Sequence, residues 1–341
     1  MIESTRQGSG ANSVVRQRPT SESRPTRRGF LRRTATLGAG VAGLSFASSL
    51  TGCATTPSAA DSQNTAKAVR PFYVIGHDPN TKDAAARYLS RGANALEPDI
   101  NVFSSRRSEL CVDHGPDLSA GPGSDRAPSL VEYLTDLRAL ARQYPALSLI
   151  YFDCKTLAAT AEHGVTLLEA ARTHLVGEGP DRLDINIVIS VASLKDQAIF
   201  RDIATKLRPG EALMIDQEND PVAIADAFVQ MGAKGPQCFS NGISVENEAS
   251  CLLAPHIRPS IERACAMRDQ DRQFRFVAVW TVNDPAHMSD YIGLGVDGMI
   301  VDAETPWYNP GAGLGALTHL IGEEGPKLGI RNATRDDRPF G

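Results

Sequence analysis

From Pro71 onward, short apolar runs rich in β-branched residues alternate with stretches whose apolar residues recur at helical spacing. The runs Phe72–Gly76, Ala95–Val102, Leu147–Lys155, Ile185–Val191, Ala212–Gln217, Gln237–Asn241, Arg275–Val282 and Gly298–Asp302 read as eight strands. Leu110–His114 reads as a short extra strand or hairpin arm. Leu130, Leu134, Leu137 and Ala141 share one helical face, and Tyr144-Pro145 ends that helix. Ala158–Leu175, Lys195–Leu207, Pro221–Met231, Ile261–Arg268 and Pro285–Leu294 read as helices in the same way. Eight strands alternating with helices over about 250 residues predict an α/β fold, a single-domain (β/α)8 (TIM) barrel. The alternative is a doubly wound sheet. No G-x-G-x-x-G follows the first strand, which removes the dinucleotide-binding form of it.

The first fifty residues follow another pattern. Thr26-Arg27-Arg28-Gly29-Phe30-Leu31 holds a twin arginine, a mildly apolar Gly/Ala-rich run covers Thr34 to Ser49, and Leu50-Thr51-Gly52-Cys53 closes it. Charged region, apolar region, small residues and boundary, in that order, make a signal peptide. The twin arginine resembles a Tat export signal. Leu-Thr-Gly-Cys resembles a lipobox, which implies cleavage before Cys53 and lipidation of its thiol. The alternatives are ordinary secretion and a basic tail. Residues 54–69 are small and polar, a linker unable to bury a core. The expected organisation is thus 1–53 signal, 54–69 linker and 70–341 barrel, at the outer face of a membrane or secreted.

Composition is ordinary for a globular protein, with 42% apolar residues, 22% charged residues and a formal net charge of −5. The first 53 residues carry eight Arg and two Glu, so the remainder has a net charge of −11. An acidic body speaks against nucleic-acid binding by bulk charge. Any phosphate chemistry must be organised locally, most simply by a metal ion. Six cysteines are too few for a disulfide scaffold. Cys238 and Cys251 are close enough in sequence to pair, but nothing demands it.

Strand ends carry the candidate chemistry. In a barrel, residues two apart on a strand face one side, and active sites occupy the C-terminal ends. The first strand ends in His77, the second carries Glu97 and Asp99, and the third ends with Asp153 and Lys155. Clustered carboxylates repel unless a hard cation joins them, and three of them suit Mg²⁺. Lys155 beside that metal is useful when an anion such as a phosphate enters. His77 and His114 then offer an imidazole acid and base. The bland readings are a structural His77, salt bridges to Glu97 and Asp99, an internal Asp153–Lys155 pair, and a core Trp280. The sharper reading of Trp280 is a ring that packs on substrate. Cys154 points outward into the core. The other five histidines read as surface residues.

These pieces together resemble a known family, the sphingomyelinase D / phospholipase D toxins, relatives of the glycerophosphodiester phosphodiesterases. The matching segments are Gly76-His77-x-x-Asn80, Gly92-Ala93-Asn94-Ala95-Leu96-Glu97-Pro98-Asp99, His114-Gly115, Phe152-Asp153-Cys154-Lys155-Thr156, Trp280-Thr281-Val282 and Gly295-Val296-Asp297-Gly298. The tail Ala333–Phe340 is similar to the tail that plugs the barrel bottom in these toxins. The resemblance implies that Glu97, Asp99 and Asp153 hold Mg²⁺ and that His77 and His114 are the acid/base pair. It assigns Lys155, Trp280 and Asn80 to substrate binding. It implies release of a headgroup alcohol such as choline from sphingomyelin or a lysophospholipid, with the lipid's own hydroxyl able to attack phosphorus and form a cyclic phosphate. The partner implied is a phospholipid or sphingolipid at a membrane surface, with no protein partner and a monomeric chain.

The chain departs from that pattern at Ala278, Asn283, Asp302, Arg338 and Phe340, and in the Cys-free stretch Asp117–Pro128. The changes near the pocket bear on headgroup and lipid class. The runner-up reading is a glycerophosphodiester phosphodiesterase, but that family usually has Arg after the first histidine, where Asp78 stands here. The third reading is a catalytically dead, lipid-tethered binding protein.

Overall fold

The computed structural model describes residues 69–116, 121–243, 255–270, 273–303 and 312–341, all within one compact unit that spans residues 64–341. The signal peptide, Cys53, nearly all of the 54–69 linker and Cys251 lie outside the described residues. Among the described residues, no helix is long and apolar enough to cross a membrane.

Eight parallel strands close into a barrel. They are β1 (Arg70–His77), β2 (Ala95–Glu97), β5 (Leu149–Cys154), β6 (Asn186–Val191), β7 (Glu211–Ile215), β8 (Gln237–Gly242), β9 (Phe276–Trp280) and β10 (Gly298–Val301). Each pairs with the next, and β10 returns to β1. The expected run Ala95–Val102 is interrupted: Pro98 has no N–H for the ladder, so β2 ends at Glu97 and β3 (Asp99–Val102) begins after it. β3 pairs in parallel with β5 and antiparallel with β4 (Leu110–Val112), the expected hairpin arm.

Strand residues alternate between two apolar layers, as a sheet covered on both faces requires. Tyr73, Ile75, Leu149, Tyr151, Val188, Met214, Phe276, Ala278 and Ile300 fill the barrel interior. Phe72, Val74, Ile150, Phe152, Cys154, Ile189, Leu213, Val277 and Met299 pack outward against helices. Those helices are α1 (Lys82–Ser90), α2 (Leu130–Gln143), α3 (Ala161–Ala170), α4 (Pro221–Gln230), α5 (Ile257–Gln270), α6 (Pro285–Leu294) and α7 (Ala312–Leu328).

Four differences from the periodicity stand out. α1 is short, with Tyr88 and Leu89 as its large apolar residues, and its start is fixed by Thr81, whose hydroxyl accepts from the Ala84 N–H. α7 carries four glycines and Pro326, which hide it from propensity. The expected helix Lys195–Leu207 is a 3-10 helix over Leu194–Phe200 followed by turns. His163, read as a surface residue, is buried on the inner face of α3 beside Gly164, Leu167 and Leu168.

The C-terminal tail closes the floor of the barrel. β11 (Ile330–Asn332) pairs with the start of β1. Phe340 joins the interior layer and meets Phe276 edge-on at 6.3 Å, while Phe276 meets Tyr73 at 5.4 Å. Arg335 Nε donates to the Leu147 carbonyl at 2.8 Å, and Arg331 pairs with Asp337.

Candidate active site

The C-terminal ends of the strands form a mouth, and their register decides which side chains meet there. His77 stands across from Glu97 on β2, and Asp99 across from Asp153 on β5. One oxygen from each of Glu97, Asp99 and Asp153 lies within 4.8 Å of the other two. Glu97 and Asp99 are buried. Burial, then the charges of Asp99 and Asp153, push the Glu97 carboxyl well above its usual range. Burial acts on Asp99 in the same direction, but Lys155 and hydrogen bonds outweigh it and hold Asp99 below its usual range. The Lys155 ammonium bridges Asp99 and Asp153, at 2.5 Å from Asp153 Oδ2. Burial opposes its charge, and the three carboxylates hold it charged far above the ordinary lysine range. Lys155 therefore offsets part of a three-carboxylate excess and leaves Glu97 uncompensated. Three converging hard oxygen donors with unmet negative charge fit a divalent cation.

The loop after β1 braces this cluster. Asp78 has a left-handed φ of 53°, a conformation that Asp tolerates. Its N–H donates to the carbonyl of Glu97 at 3.1 Å and to Oε2 at 3.2 Å. Burial, then Asp99, push the Asp78 carboxyl up to about 8. Asn80 Nδ2 donates to Asp99 Oδ2 at 2.6 Å, and Asn80 Oδ1 accepts from the Asp99 N–H at 2.9 Å. Asn80 is thus a brace for Asp99 and is not among the residues lining the cavity described below. The buried Tyr133 hydroxyl donates to the Pro79 carbonyl at 2.5 Å and fixes the loop from α2.

His77 is held from behind. Its Nδ1 lies 2.7 Å from Asp302 Oδ1, beyond the end of β10. Asn283 Nδ2 donates to Asp302 Oδ2 at 2.6 Å, and the Asp302 N–H donates to Asn283 Oδ1 at 3.0 Å. A carboxylate only accepts, so Nδ1 carries the proton and Nε2 is left free. Burial lowers the imidazole, but the hydrogen bond and charge of Asp302 outweigh it, and His77 sits above the ordinary histidine range. α7 begins beside this pair: a Cβ on Gly313 would lie 2.1 Å from Asn283 Oδ1. His114 follows β4, and its carbonyl accepts from Asn101 Nδ2 at 3.5 Å.

A cavity of about 300 Å³ opens between these groups, lined by His77, Glu97, His114, Asp153, Lys155, Tyr151, Asp216 and Trp280 among others. Trp280 ends β9 at its wall and donates from Nε1 to the Asp216 carbonyl at 3.2 Å. Gly242 ends β8 against it, where a Cβ would lie 1.6 Å from the Trp280 carbonyl oxygen. A cavity of about 360 Å³ at the opposite end of the barrel, beside Arg172 and Gly210, holds an Arg172–Glu211 ion pair and no histidine. The donors for chemistry are therefore at the mouth.

Cys53 lies outside the described residues; of the other residues of the sequence-derived set, all but Asn80 line the cavity or belong to the acidic cluster. Asp216 was not singled out by sequence, although it stands at a strand end as Asp153 does. Its Oδ2 accepts from the Tyr151 hydroxyl at 2.9 Å and from Ser190 Oγ at 3.2 Å. Asp302 and Asn283 stood out in the sequence only as departures from a pattern. Cys238 is a buried free thiol.

The profile of the family described as Dermonecrotic toxin SPH matches residues 67–340. A dermonecrotic toxin of Loxosceles intermedia is 24% identical over 289 residues, covering 80% of this chain and 89% of its own length. A dermonecrotic toxin of Loxosceles boneti is also 24% identical over 289 residues, covering 80% of this chain and 97% of its own. Among solved structures, a glycerophosphodiester phosphodiesterase from Parabacteroides distasonis superposes with a TM-score of 0.44 at 15% identity, covering 69% of this chain and 94% of that one.

Proposed function

The chain belongs to the dermonecrotic toxin SPH family, and from that premise we propose that it is a Mg²⁺-dependent phospholipase D of the sphingomyelinase D type. It cleaves the headgroup phosphodiester of sphingomyelin or a lysophospholipid. The observation that carries the reading is one cavity lined by Glu97, Asp153, Lys155 and two histidines, with Asp99 held beneath them by Lys155 and Asn80.

The residues divide the work as follows. Glu97, Asp99 and Asp153 would hold Mg²⁺, which when bound supplies charge stabilisation at the phosphoryl oxygens. Lys155 adds a fixed positive charge for the same phosphate. The lipid's own hydroxyl attacks phosphorus and loses its proton to one imidazole. The bond from phosphorus to the headgroup oxygen breaks, and the other imidazole protonates that oxygen. The products are a cyclic phosphate and a free alcohol. Attack from within the substrate gains from proximity and needs no activated water. Trp280 packs on the headgroup.

The signal-like N-terminus, with Arg27, Arg28 and Cys53, supports export by a Tat-type route and anchoring through the Cys53 thiol. Such an address fits an enzyme whose substrate is a membrane lipid.

The test is phosphorus NMR of the full chain with sphingomyelin, lysophosphatidylcholine and glycerophosphocholine, with and without Mg²⁺. A cyclic phosphate from one of the first two, lost on chelation, is expected. His77→Ala and His114→Ala should each lower kcat by about 10²- to 10⁴-fold. Turnover of glycerophosphocholine alone would make the chain a glycerophosphodiester phosphodiesterase. Unchanged alcohol release in both histidine variants would remove the mechanism.

A further inference from the structure

The cavity at the floor end of the barrel lies between the starts of β6 and β7 and the π-helical turn Ala171–Val176 that follows α3. Its volume of about 360 Å³ is that of a small-ligand pocket. Val176, Ile185, Ile187 and Pro209 give it apolar walls. Gly177 and Gly210 keep it open, since both line it at left-handed φ of 74° and 87°, where a side chain is strained. A smaller cavity of about 170 Å³ shares Arg182, Ile185, Pro209 and Gly210 with it and reaches Arg338. The walls are pinned. Arg138 on α2 donates to the carbonyls of Leu175 at 2.8 Å and Asp181 at 2.7 Å, and the Leu183 N–H donates to the Val176 carbonyl at 2.9 Å.

Arg172 is the fixed point of this site. Its Nε and Nη2 donate to Glu211 at 2.7 and 2.6 Å, and Nη2 donates to the Lys206 carbonyl at 2.8 Å. Three of its five N–H groups are thus spent. The two on Nη1 have no partner among the described residues, on a side chain that is 17% exposed. Two more guanidinium groups line the same cavity. The exposed Arg208 side chain makes no ion pair or hydrogen bond among the described residues. Arg182 is 55% exposed and reaches only Asp184, at 3.8 Å. Four arginines face three carboxylates, Glu178, Asp184 and Glu211, across the two cavities, in a body whose net charge after residue 53 is −11. A guanidinium held along one edge by a carboxylate presents its other edge as a fixed donor fork. Several forks around one space suit an anion with three or more equivalent oxygens, which a phosphate has and a carboxylate lacks. The apolar walls suit an organic group carried on that phosphate. No histidine lines the cavity and Glu211 is spent on Arg172, so such a site binds without reacting.

We propose that the floor cavity is a second, non-catalytic site, which takes a phosphate monoester of a small organic group without a metal ion. The phosphate accepts from Arg172 Nη1 and from Arg182 and Arg208, and the organic group lies on Ile185, Ile187 and Pro209.

The test uses the full chain in EDTA, so that no metal-held phosphate at the mouth contributes and the result does not depend on turnover. Phenyl phosphate is titrated by calorimetry, with phenol as the uncharged control. Vesicles of phosphatidic acid in phosphatidylcholine are sedimented with the chain, against vesicles of phosphatidylcholine alone. Binding of phenyl phosphate assigns the site to a soluble ester, and binding of the phosphatidic acid vesicles alone assigns it to a lipid headgroup. The double variant Arg182→Ala with Arg208→Ala changes two exposed side chains and should weaken that binding about tenfold or more, the scale of one charged hydrogen bond. Arg172→Lys keeps the charge but loses the fork, and should weaken it as well. Thermal melts show which variants are folded. Binding of neither probe, or phenol binding as well as phenyl phosphate, overturns the proposal. Wild-type affinity in the folded double variant also overturns it, because the anion is then held elsewhere, as at Lys155. Loss in the double variant with a folded Arg172→Lys unaffected overturns it too, as the mark of diffuse attraction.

Discussion

Asp302 shows how one side chain can set the state of another. It accepts from His77 Nδ1 and is itself fixed by two hydrogen bonds with Asn283. Asp302→Asn removes the charge that holds His77 above the usual range against burial. The imidazole should therefore titrate at lower pH, read from its NMR signals, and kcat should fall by about 10²-fold with KM little changed. The sign for stability follows from the raised value. The pair contributes stability that is full below about pH 6.5, the unfolded value, and is lost as pH rises through the higher folded value. The Tm deficit of Asp302→Asn should thus be larger at pH 6 than at pH 9, and a deficit independent of pH would remove this account. Glu97 with Asp99 and Asp153 with Lys155 were legible in the sequence because a spacing of two in extended chain puts both side chains on one side, and they still meet although Pro98 breaks the first run and Lys155 lies just past β5. Asp216 and Asp302 stand alone at their strand ends, so no spacing marked them. Asn80 was legible as part of a motif, but its contact with Asp99 depends on how the loop folds back after Asp78.

At the scale of elements, strands were easier to read than helices. Buried parallel strands are continuous apolar runs, and all eight appear at their expected places, with Pro98 splitting one. α1 spans only nine residues with Tyr88 and Leu89 as its large apolar side chains, and α7 is interrupted by four glycines and Pro326, so the packing of the barrel decides both. The close approach of β8 to β9 was not legible. Gly242→Ala would force its new methyl into the Trp280 carbonyl. It should destabilise the chain by at least about 1–3 kcal/mol and shift tryptophan emission, with activity falling as the ring is displaced. A variant with wild-type Tm and emission would show that the two strands can separate without loss.

For the whole molecule, an ion held by the acidic cluster would couple its binding to folding. Mg²⁺ at about a hundred times its Kd should stabilise the chain by about 2.7 kcal/mol, seen as a rise in Tm of several degrees. Glu97→Gln imitates the protonated carboxyl that burial and its neighbours already favour without metal. Its Tm in EDTA should match wild type, while the rise on adding Mg²⁺ should largely disappear. An equal rise in both proteins would place the ion elsewhere. The floor has its own consequence. Tyr73, Phe276 and Phe340 fill the barrel below the cavity, and the tail seals it. Among the described residues the floor is closed, so a ligand of this cavity comes and goes at the mouth end. In the proposed reaction both products would leave by the way the lipid enters, so the released alcohol would act as a competitive inhibitor, which a product-inhibition assay reads.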